Sequence, residues 1–280
     1  MSGVYREPDY GFPAGAQWVD LTGLEGTSCY CDDAAAMAIR ERCPVVAGHD
    51  RVAGHDRVAG HDRVAGHDRV AGHDRVAGHD RVAGLNFIDS GDYHYMTALL
   101  TEKMPEPFSL VLIDNHPDMQ QPAFGAGILS CGGWVRWMLE HQPLLRQVLI
   151  VGINPSLCCE TEGFDGRVTV VPQGSEDYAD AAKKWLGSVQ EPVYLSIDKD
   201  VLAPEFAATN WDQGTMTLET LLELCSIFKN RIAGVDICGE LPAVKGGTSG
   251  DYKKNAFANK KLLGFGKELL SLRDKNIAQR

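Results

Sequence analysis

No stretch of this 280-residue chain approaches the roughly 18 to 20 continuous apolar residues that cross a membrane. The segment Met1-Ser2-Gly3-Val4-Tyr5-Arg6-Glu7-Pro8 lacks the apolar core of a signal peptide. Basic residues are in deficit, 27 Lys and Arg against 38 Asp and Glu, and the formal charge of −11 argues against nucleic acid and anionic membrane as partners. Cys-x-x-Cys is also missing. Among the eight cysteines, Cys29/Cys31 and Cys158/Cys159 stand too close together for an ordinary disulfide framework, so a cytoplasmic location is expected. Cys43 and Cys225 read as packed helix thiols. What remains, 44% hydrophobic and 23% charged, is ordinary for a globular domain long enough to bury a large core.

Two short stretches stand out, Asp114-Asn115-His116-Pro117-Asp118 and Ser196-Ile197-Asp198-Lys199-Asp200. Each closes an apolar, strand-like run, Ser109-Leu110-Val111-Leu112-Ile113 in the first case and Pro192-Val193-Tyr194-Leu195 in the second, so charge arrives where a buried strand ends. Open α/β sheets build their sites there. Alternate residues of an extended chain point the same way, so Asp114, His116 and Asp118 can converge, as can Asp198 and Asp200. These carboxylates would repel one another by several kcal/mol at low dielectric, and the sequence places no Lys or Arg cluster to neutralise them. A divalent metal is the natural remedy. Carboxylate oxygens with a minority of imidazoles suit Mn²⁺, and less well Fe²⁺, Co²⁺ or Zn²⁺. A third segment, Ser90-Gly91-Asp92-Tyr93-His94-Tyr95, follows the short apolar run Leu85-Asn86-Phe87-Ile88 and can supply another imidazole.

These motifs resemble those of the arginase/agmatinase/formiminoglutamase group, the ureohydrolases, whose pattern is Gly-Gly-Asp-His-Ser, then Asp-Ala-His-x-Asp, then Ser-x-Asp-x-Asp-x-x-Asp-Pro. The resemblance implies a three-layer α/β sandwich with a mainly parallel sheet, of the arginase/deacetylase kind. It implies two Mn²⁺ per chain, with His94, Asp114, Asp118 and Asp198 on one and His116, Asp114, Asp198 and Asp200 on the other. It also implies metal-activated hydrolysis of a guanidino, formimino or amide C–N bond in a small molecule, with Asp118 taking the proton on. A homo-oligomer is left open. The alternatives are a single-zinc deacetylase of the same fold and a non-catalytic metal- or ligand-binding member.

Departures from the pattern point to an altered pocket. Tyr93 is an extra residue between Asp92 and His94, which leaves Asp92 as an alternative ligand. Ala203 replaces the last Asp of the third motif. After the second motif, Ile128-Leu129-Ser130-Cys131-Gly132-Gly133-Trp134 has no His where arginases place one, and the role of Cys131 there is open. The Asp and Glu that hold the guanidinium in the family find a looser echo in Asp236-Ile237-Cys238-Gly239-Glu240, one residue longer, so Glu240 is carried over as a catalytic residue. Glu240 and Asp212 are the groups left to hold a cationic head, Trp211 and Tyr30 are possible pocket walls, and free arginine is expected to be a poor substrate.

The unit Val-Ala-Gly-His-Asp-Arg runs six times from Val46 to Arg81 and trails into Val82-Ala83-Gly84, carrying six of the nine His residues. A period of six puts successive Val residues about 240° apart around a helix, so no apolar stripe forms, and each Gly costs a helix roughly 1 kcal/mol. With Asp and Arg paired, the repeat contributes no net charge. Residues 46–84 are therefore read as a disordered or loosely helical loop inserted in one domain spanning 1–280. Because the helix-like run 32–41 precedes it and the strand 85–88 follows, it falls at the amino ends of the strands, opposite the catalytic edge. Further strands are expected at 16–21, 147–151, 168–171 and 232–236, and helices at 178–186, 218–229 and 255–272. Lengthening such a loop costs only about 0.6 kcal/mol per doubling. Deleting residues 46–81, which joins Val45 directly to Val82, is accordingly expected to leave melting temperature and turnover nearly unchanged. A collapse of solubility or activity in that deletion would make the repeat a structural element.

Overall fold

Apolar runs separated by helical segments become strands of one sheet. The computed structural model describes residues 16–19, 21, 24–42, 84–122, 128–175 and 177–278. Its strands are β1 (Ala16–Trp18), β2 (Tyr30–Cys31), β3 (Leu85–Phe87), β4 (Phe108–Ile113), β5 (Leu129–Ser130), β6 (Leu145–Ile153), β7 (Val168–Pro172), β8 (Val193–Asp198) and β9 (Ile232–Cys238). Its α-helices are α1 (Asp33–Arg42), α2 (Met96–Thr101), α3 (Trp134–His141), α4 (Tyr178–Ser188), α5 (Leu218–Phe228) and α6 (Ser249–Ala278). None of the helices is long and apolar enough to cross a membrane among the described residues. The repeat and Cys43 lie outside the described residues, but α1 and β3 flank it as the sequence implies.

The main sheet has seven strands in the order β1-β3-β9-β8-β4-β6-β7, and every adjacent pair is parallel. A separate antiparallel pair joins β2 to β5. Alternation along β4 explains the layers: Leu110 and Leu112 belong to one core with α1, α2 and α3, through Ile39, Met96 and Met138. Val111 and Ile113 belong to the other, with Trp185 of α4, Leu221 of α5 and Leu262 of α6. All residues of β4 and β8 are buried, as strands covered on both faces must be. The amphipathic helix α5 shows how one face is sealed. The Thr217 hydroxyl accepts from Thr220 N at 3.1 Å as its N-cap, and Leu218, Leu221, Leu224, Cys225 and Phe228 form the buried stripe.

Parallel strands put all their carboxyl ends on one edge. From β4 the chain moves outward to β6 and β7, then returns to β8 on the other side of β4 and continues to β9. The direction therefore reverses between β4 and β8, and helices leave that point on opposite faces, opening the crevice where α/β sheets place their sites. Both aspartate motifs end on these two strands.

Differences from the sequence reading are local. The first strand stops at Trp18, although Val19 N still donates to Phe87 O at 2.7 Å. Helix α2 was not expected, because its six residues are all buried and so show no polar face. Helix α3 begins directly after Gly132-Gly133, where no helix was expected from the sequence, and α6 starts at Ser249 rather than at 255.

Candidate metal centre

The site is assembled from four neighbouring strands, β3, β9, β8 and β4. Asp114 follows β4 directly, its N–H donating to Val151 O at 3.1 Å. Its Oδ1 turns back to accept from His116 N at 2.6 Å. The second motif repeats the device, with Asp198 Oδ1 accepting from Asp200 N at 2.8 Å. Asp200 Oδ1 reaches across the crevice to Asn115 N at 3.2 Å. The backbone of each strand end is thus held by a carboxylate of its own or the neighbouring motif. Asp118 closes the loop with φ of 49°, a left-handed conformation that Asp tolerates better than most residues.

Among the described residues, three groups of side chains have ligand atoms within 4.8 Å of one another: His94 with Asp114 and Asp118, Asp114 with His116 and Asp200, and His94 with Asp198 and Cys238. All six residues singled out as ligands, His94, Asp114, His116, Asp118, Asp198 and Asp200, fall in these groups. Asp114 belongs to two of them, and Asp198 meets the set through His94 and Cys238. His116 Nδ1 lies 2.9 Å from Asp200 Oδ2 and 3.5 Å from Asp114 Oδ1. Asp92 takes a different part, accepting from Asn210 Nδ2 at 2.8 Å and Trp211 Nε1 at 2.9 Å. It anchors the loop that carries Trp211, whose ring meets His116 edge-on at 6.0 Å.

Proton counting fixes how His94 is used. Ser196 Oγ has one hydrogen and donates it to Asp236 Oδ1 at 2.6 Å, so at 2.9 Å it must accept from His94 Nε2. The other ring nitrogen, Nδ1, faces Asp118 Oδ2 at 3.0 Å, Asp114 Oδ2 at 3.2 Å and Asp198 Oδ2 at 3.6 Å. An unprotonated nitrogen there would set its lone pair among three carboxylate oxygens, a repulsion relieved only by a proton or a metal cation between them. The donor set therefore fits a divalent metal on grounds of charge as well as ligand type.

The titration behaviour of the groups agrees. Burial opposes charge on His94, yet Cys238, Asp114 and Asp118 hold its pKa well above the usual value. His116, also disfavoured by burial, is pushed up to about 12 by Asp114 and Asp200. Burial and then Asp114 raise Asp200 to about 8, and burial with Asp200 raises Asp198. Asp198, Asp200 and both imidazoles are displaced upward together, the acids by burial and then by neighbouring carboxylates, the imidazoles by the acidic groups around them.

The nearest buried cation does not supply it. Lys199, fully buried between two candidate ligands, turns away to pair with Glu240 and donates to Asn259 Oδ1 at 2.8 Å. Asn259 Nδ2 donates to Glu240 Oε1 at 2.6 Å and Asn255 Nδ2 to Oε2 at 3.1 Å. Both oxygens of Glu240 are thus engaged, and it belongs to none of the three ligand groups. The reason is Gly239, whose φ is 88°. This extra residue ends β9 in a turn that carries Glu240 past the crevice. Asp236 is likewise not facing substrate space but fully buried behind Ser196. Asp212 is exposed on the 209–214 loop, with its backbone oxygen bound by Asn115 Nδ2 at 2.9 Å.

Cys238 was not singled out from the sequence. The signal was available: Asp236 and Cys238 are two apart on a strand, and the register pairs them with Ser196 and Asp198. Two further groups support the site. Trp134 Nε1 donates to Asp118 Oδ2 at 2.6 Å, and Cys131 is buried beside Cys29, whose backbone oxygen accepts from Cys131 N at 2.9 Å.

A family model described as the arginase family matches residues 93–249, more than half of the chain. The chain belongs to the arginase family. An uncharacterized protein of Thermotoga maritima is 38% identical over 157 residues, 56% of this chain and 58% of that protein. Among solved structures, agmatine ureohydrolase of Thermoplasma volcanium superposes with a TM-score of 0.55 at 18% identity, over 68% of this chain and 64% of that one. Formiminoglutamase of Trypanosoma cruzi, determined with Mn²⁺, superposes with a TM-score of 0.53 at 14% identity, over 70% of this chain and 73% of that one. At such identities the likeness is one of fold, and it matches the seven-stranded sheet with helices on both faces. The chain spans less than two thirds of the length of both the Thermotoga protein and the Thermoplasma enzyme.

Replacing Lys199 by Met strands Glu240 without its cation and should cost about 3–5 kcal/mol, read as a lowered melting temperature. Adding Glu240→Leu to that variant should recover most of the loss, because the uncompensated charge is removed. Metal content should persist in the double variant, since neither residue belongs to a ligand group. Loss of metal in that variant would instead place Glu240 or Lys199 in the binding machinery.

Proposed function

We propose that this protein is a binuclear Mn²⁺ hydrolase that cleaves a C–N bond of a guanidino, formimino or amide small molecule, and that free arginine is not its preferred substrate. The observation that carries the reading is the sharing of Asp114 between the His94/Asp118 group and the His116/Asp200 group. One carboxylate common to two adjacent donor sets is how a pair of cations is held at bridging distance. The arginase-family match and the fold likeness to enzymes named for guanidino and formimino substrates support it.

His94, Asp114, Asp118 and Asp198 would hold one cation, and His116, Asp114, Asp198 and Asp200 the other. When bound, the pair would supply Lewis-acid polarisation of the scissile carbon's substituent and activation of a water. The chain's own residues do the rest. Ser196 and Asp236 fix the His94 ring, so that Nδ1 stays aimed into the crevice. Asp118 is kept in one rotamer by the Trp134 indole N–H and is the carboxylate placed to take up a proton and deliver it to the leaving nitrogen. Trp211, 40% exposed and set against His116, offers a flat apolar wall, and Asp212 on the same loop offers one negative charge. With Glu240 committed to Lys199, a single exposed carboxylate remains for a cationic head, which suits a substrate with one charged end and a less polar tail.

L-Arginine asks for more. Its ammonium and carboxylate need partners, and the stretch from Pro122 to Cys131, of which 123–127 lie outside the described residues, is poor in polar side chains. Desolvating both charges without return costs several kcal/mol. Screening small guanidino, formimino and amide compounds on Mn²⁺-loaded protein, with urea and ammonia read separately, should find a substrate cleaved better than L-arginine. Arginine turnover at a kcat/KM of about 10⁴ M⁻¹s⁻¹ or more would overturn the pocket reading. Asp114→Ala and Asp198→Ala should each abolish activity and lower bound Mn²⁺ while leaving the far-UV circular dichroism unchanged. Full Mn²⁺ content in either variant would refute the ligand assignment.

A further inference from the structure

Cys238 brings sulfur to a set of donors that is otherwise oxygen and nitrogen. Its side chain is fully buried, and its Sγ donates to Asp198 Oδ2 at 3.0 Å. With His94 and Asp198 it forms one of the three groups able to hold a metal ion. Register accounts for the placement: Cys238 is the partner of Asp198 across the β8–β9 pair, so the two side chains leave the sheet side by side. The next residue brings the strand end close. A Cβ on Gly239 would stand 2.3 Å from Asp198 Oδ1, so only glycine there lets the Cys238 backbone approach the carboxylate this nearly. Filling the core required no thiol, since an alanine or valine would pack the same space without aiming a polar atom at a carboxylate.

Resting on the two-cation part of the reading above but departing from it in the metal at one position, we propose that Cys238 is a thiolate ligand of the cation held beside His94, and that this position therefore selects Zn²⁺ over Mn²⁺. The other position, built from Asp114, His116, Asp198 and Asp200, contains no sulfur and keeps Mn²⁺. Both positions have one imidazole and shared carboxylates, so the distinction rests on the thiolate, a softer donor that moves its position toward Zn²⁺. On coordination the S–H bond breaks, the proton leaves to solvent and a sulfur lone pair makes the new bond to the metal, with no change of oxidation state.

The test loads metal-free protein with one equivalent of Zn²⁺ per chain and an excess of Mn²⁺, so that zinc goes to whichever position binds it more tightly, removes unbound ions and measures both metals together with the zinc X-ray absorption spectrum. One Zn²⁺ and one Mn²⁺ per chain are expected, with a sulfur scatterer at about 2.3 Å from zinc. Cys238→Ser and Cys238→Ala, checked for folding by circular dichroism, should lose that scatterer and weaken Zn²⁺ binding by about 10–100-fold or more, at least the loss found for groups that merely orient ligands. Cys159→Ser, at an exposed cysteine outside the site, should change neither. Two bound metals with no sulfur at zinc, or a scatterer that survives both Cys238 variants, would overturn the thiolate while leaving the binuclear reading in place. A single Zn²⁺ with sulfur bound would uphold the thiolate and overturn the binuclear reading. No bound metal would overturn both.

Discussion

The convergence of Asp114, Asp118 and Asp198 on the Nδ1 of His94 is the constraint around which this molecule is arranged. Buried carboxylates so close together destabilise the fold unless a cation is held among them, since their mutual repulsion is strong where water is excluded. The protein meets the demand with geometry. Parallel strands deliver all the groups to one edge; Asp114, Asp198 and Asp200 are each held by a backbone N–H of the motif loops, and Asp118 by the Trp134 indole N–H. Ser196 and Asp236 commit the far side of His94, leaving its lone pair to the crevice. The sheet supplies rigidity, and the charge deficit is what a bound cation would relieve.

Lys199 shows how strictly that deficit is maintained. It sits between Asp198 and Asp200, where an ammonium would satisfy the carboxylates directly and displace any metal. Strand alternation points it the other way, and Glu240, Asn255 and Asn259 receive it. Since Asn255 and Asn259 belong to α6, the same network ties that helix to the strand end carrying the ligands. A buried ion pair of this kind adds little net stability. Its effect is to fix where a charge does not go.

Much of this could be read from the sequence because strand ends announce themselves. The abrupt change from Leu110-Val111-Leu112-Ile113 to Asp114-Asn115-His116 identifies a buried strand, its carboxyl end and three polar groups at once, and period-2 alternation says which of them share a side. The position of the repeat between a helix and a strand was legible for the same reason. Glu240 was not, because its direction depends on the positive φ of Gly239, one residue outside a regular element. Cys238 was hidden by its own chemistry: within Ile232–Cys238 a thiol continues the apolar pattern, and only the register against Asp198 shows that it faces the ligands. Helix α2 escaped because burial on all sides removes the periodic polar face that marks a surface helix, whereas α3, with Trp134, Val135, Met138 and Leu139 buried and Glu140 and His141 exposed, was legible from its period.

The division between what the chain shares with its family and what it alters follows the same physical line. Groups placed by strand register cannot move without shifting every neighbour in a covered sheet, so the Asp, His and Ser residues at the ends of β4 and β8 are the part of the candidate site least free to move. Groups placed by loops carry no such cost. In this chain the stretch from Met119 to Gly133 contains no histidine, Gly239 turns the chain at the end of β9 just before Glu240, and the 209–214 loop is pinned by Asp92 with an indole toward His116. Chemistry set by the sheet and recognition set by the loops can thus diverge independently, which is why an unchanged ligand set is compatible with a substrate other than arginine.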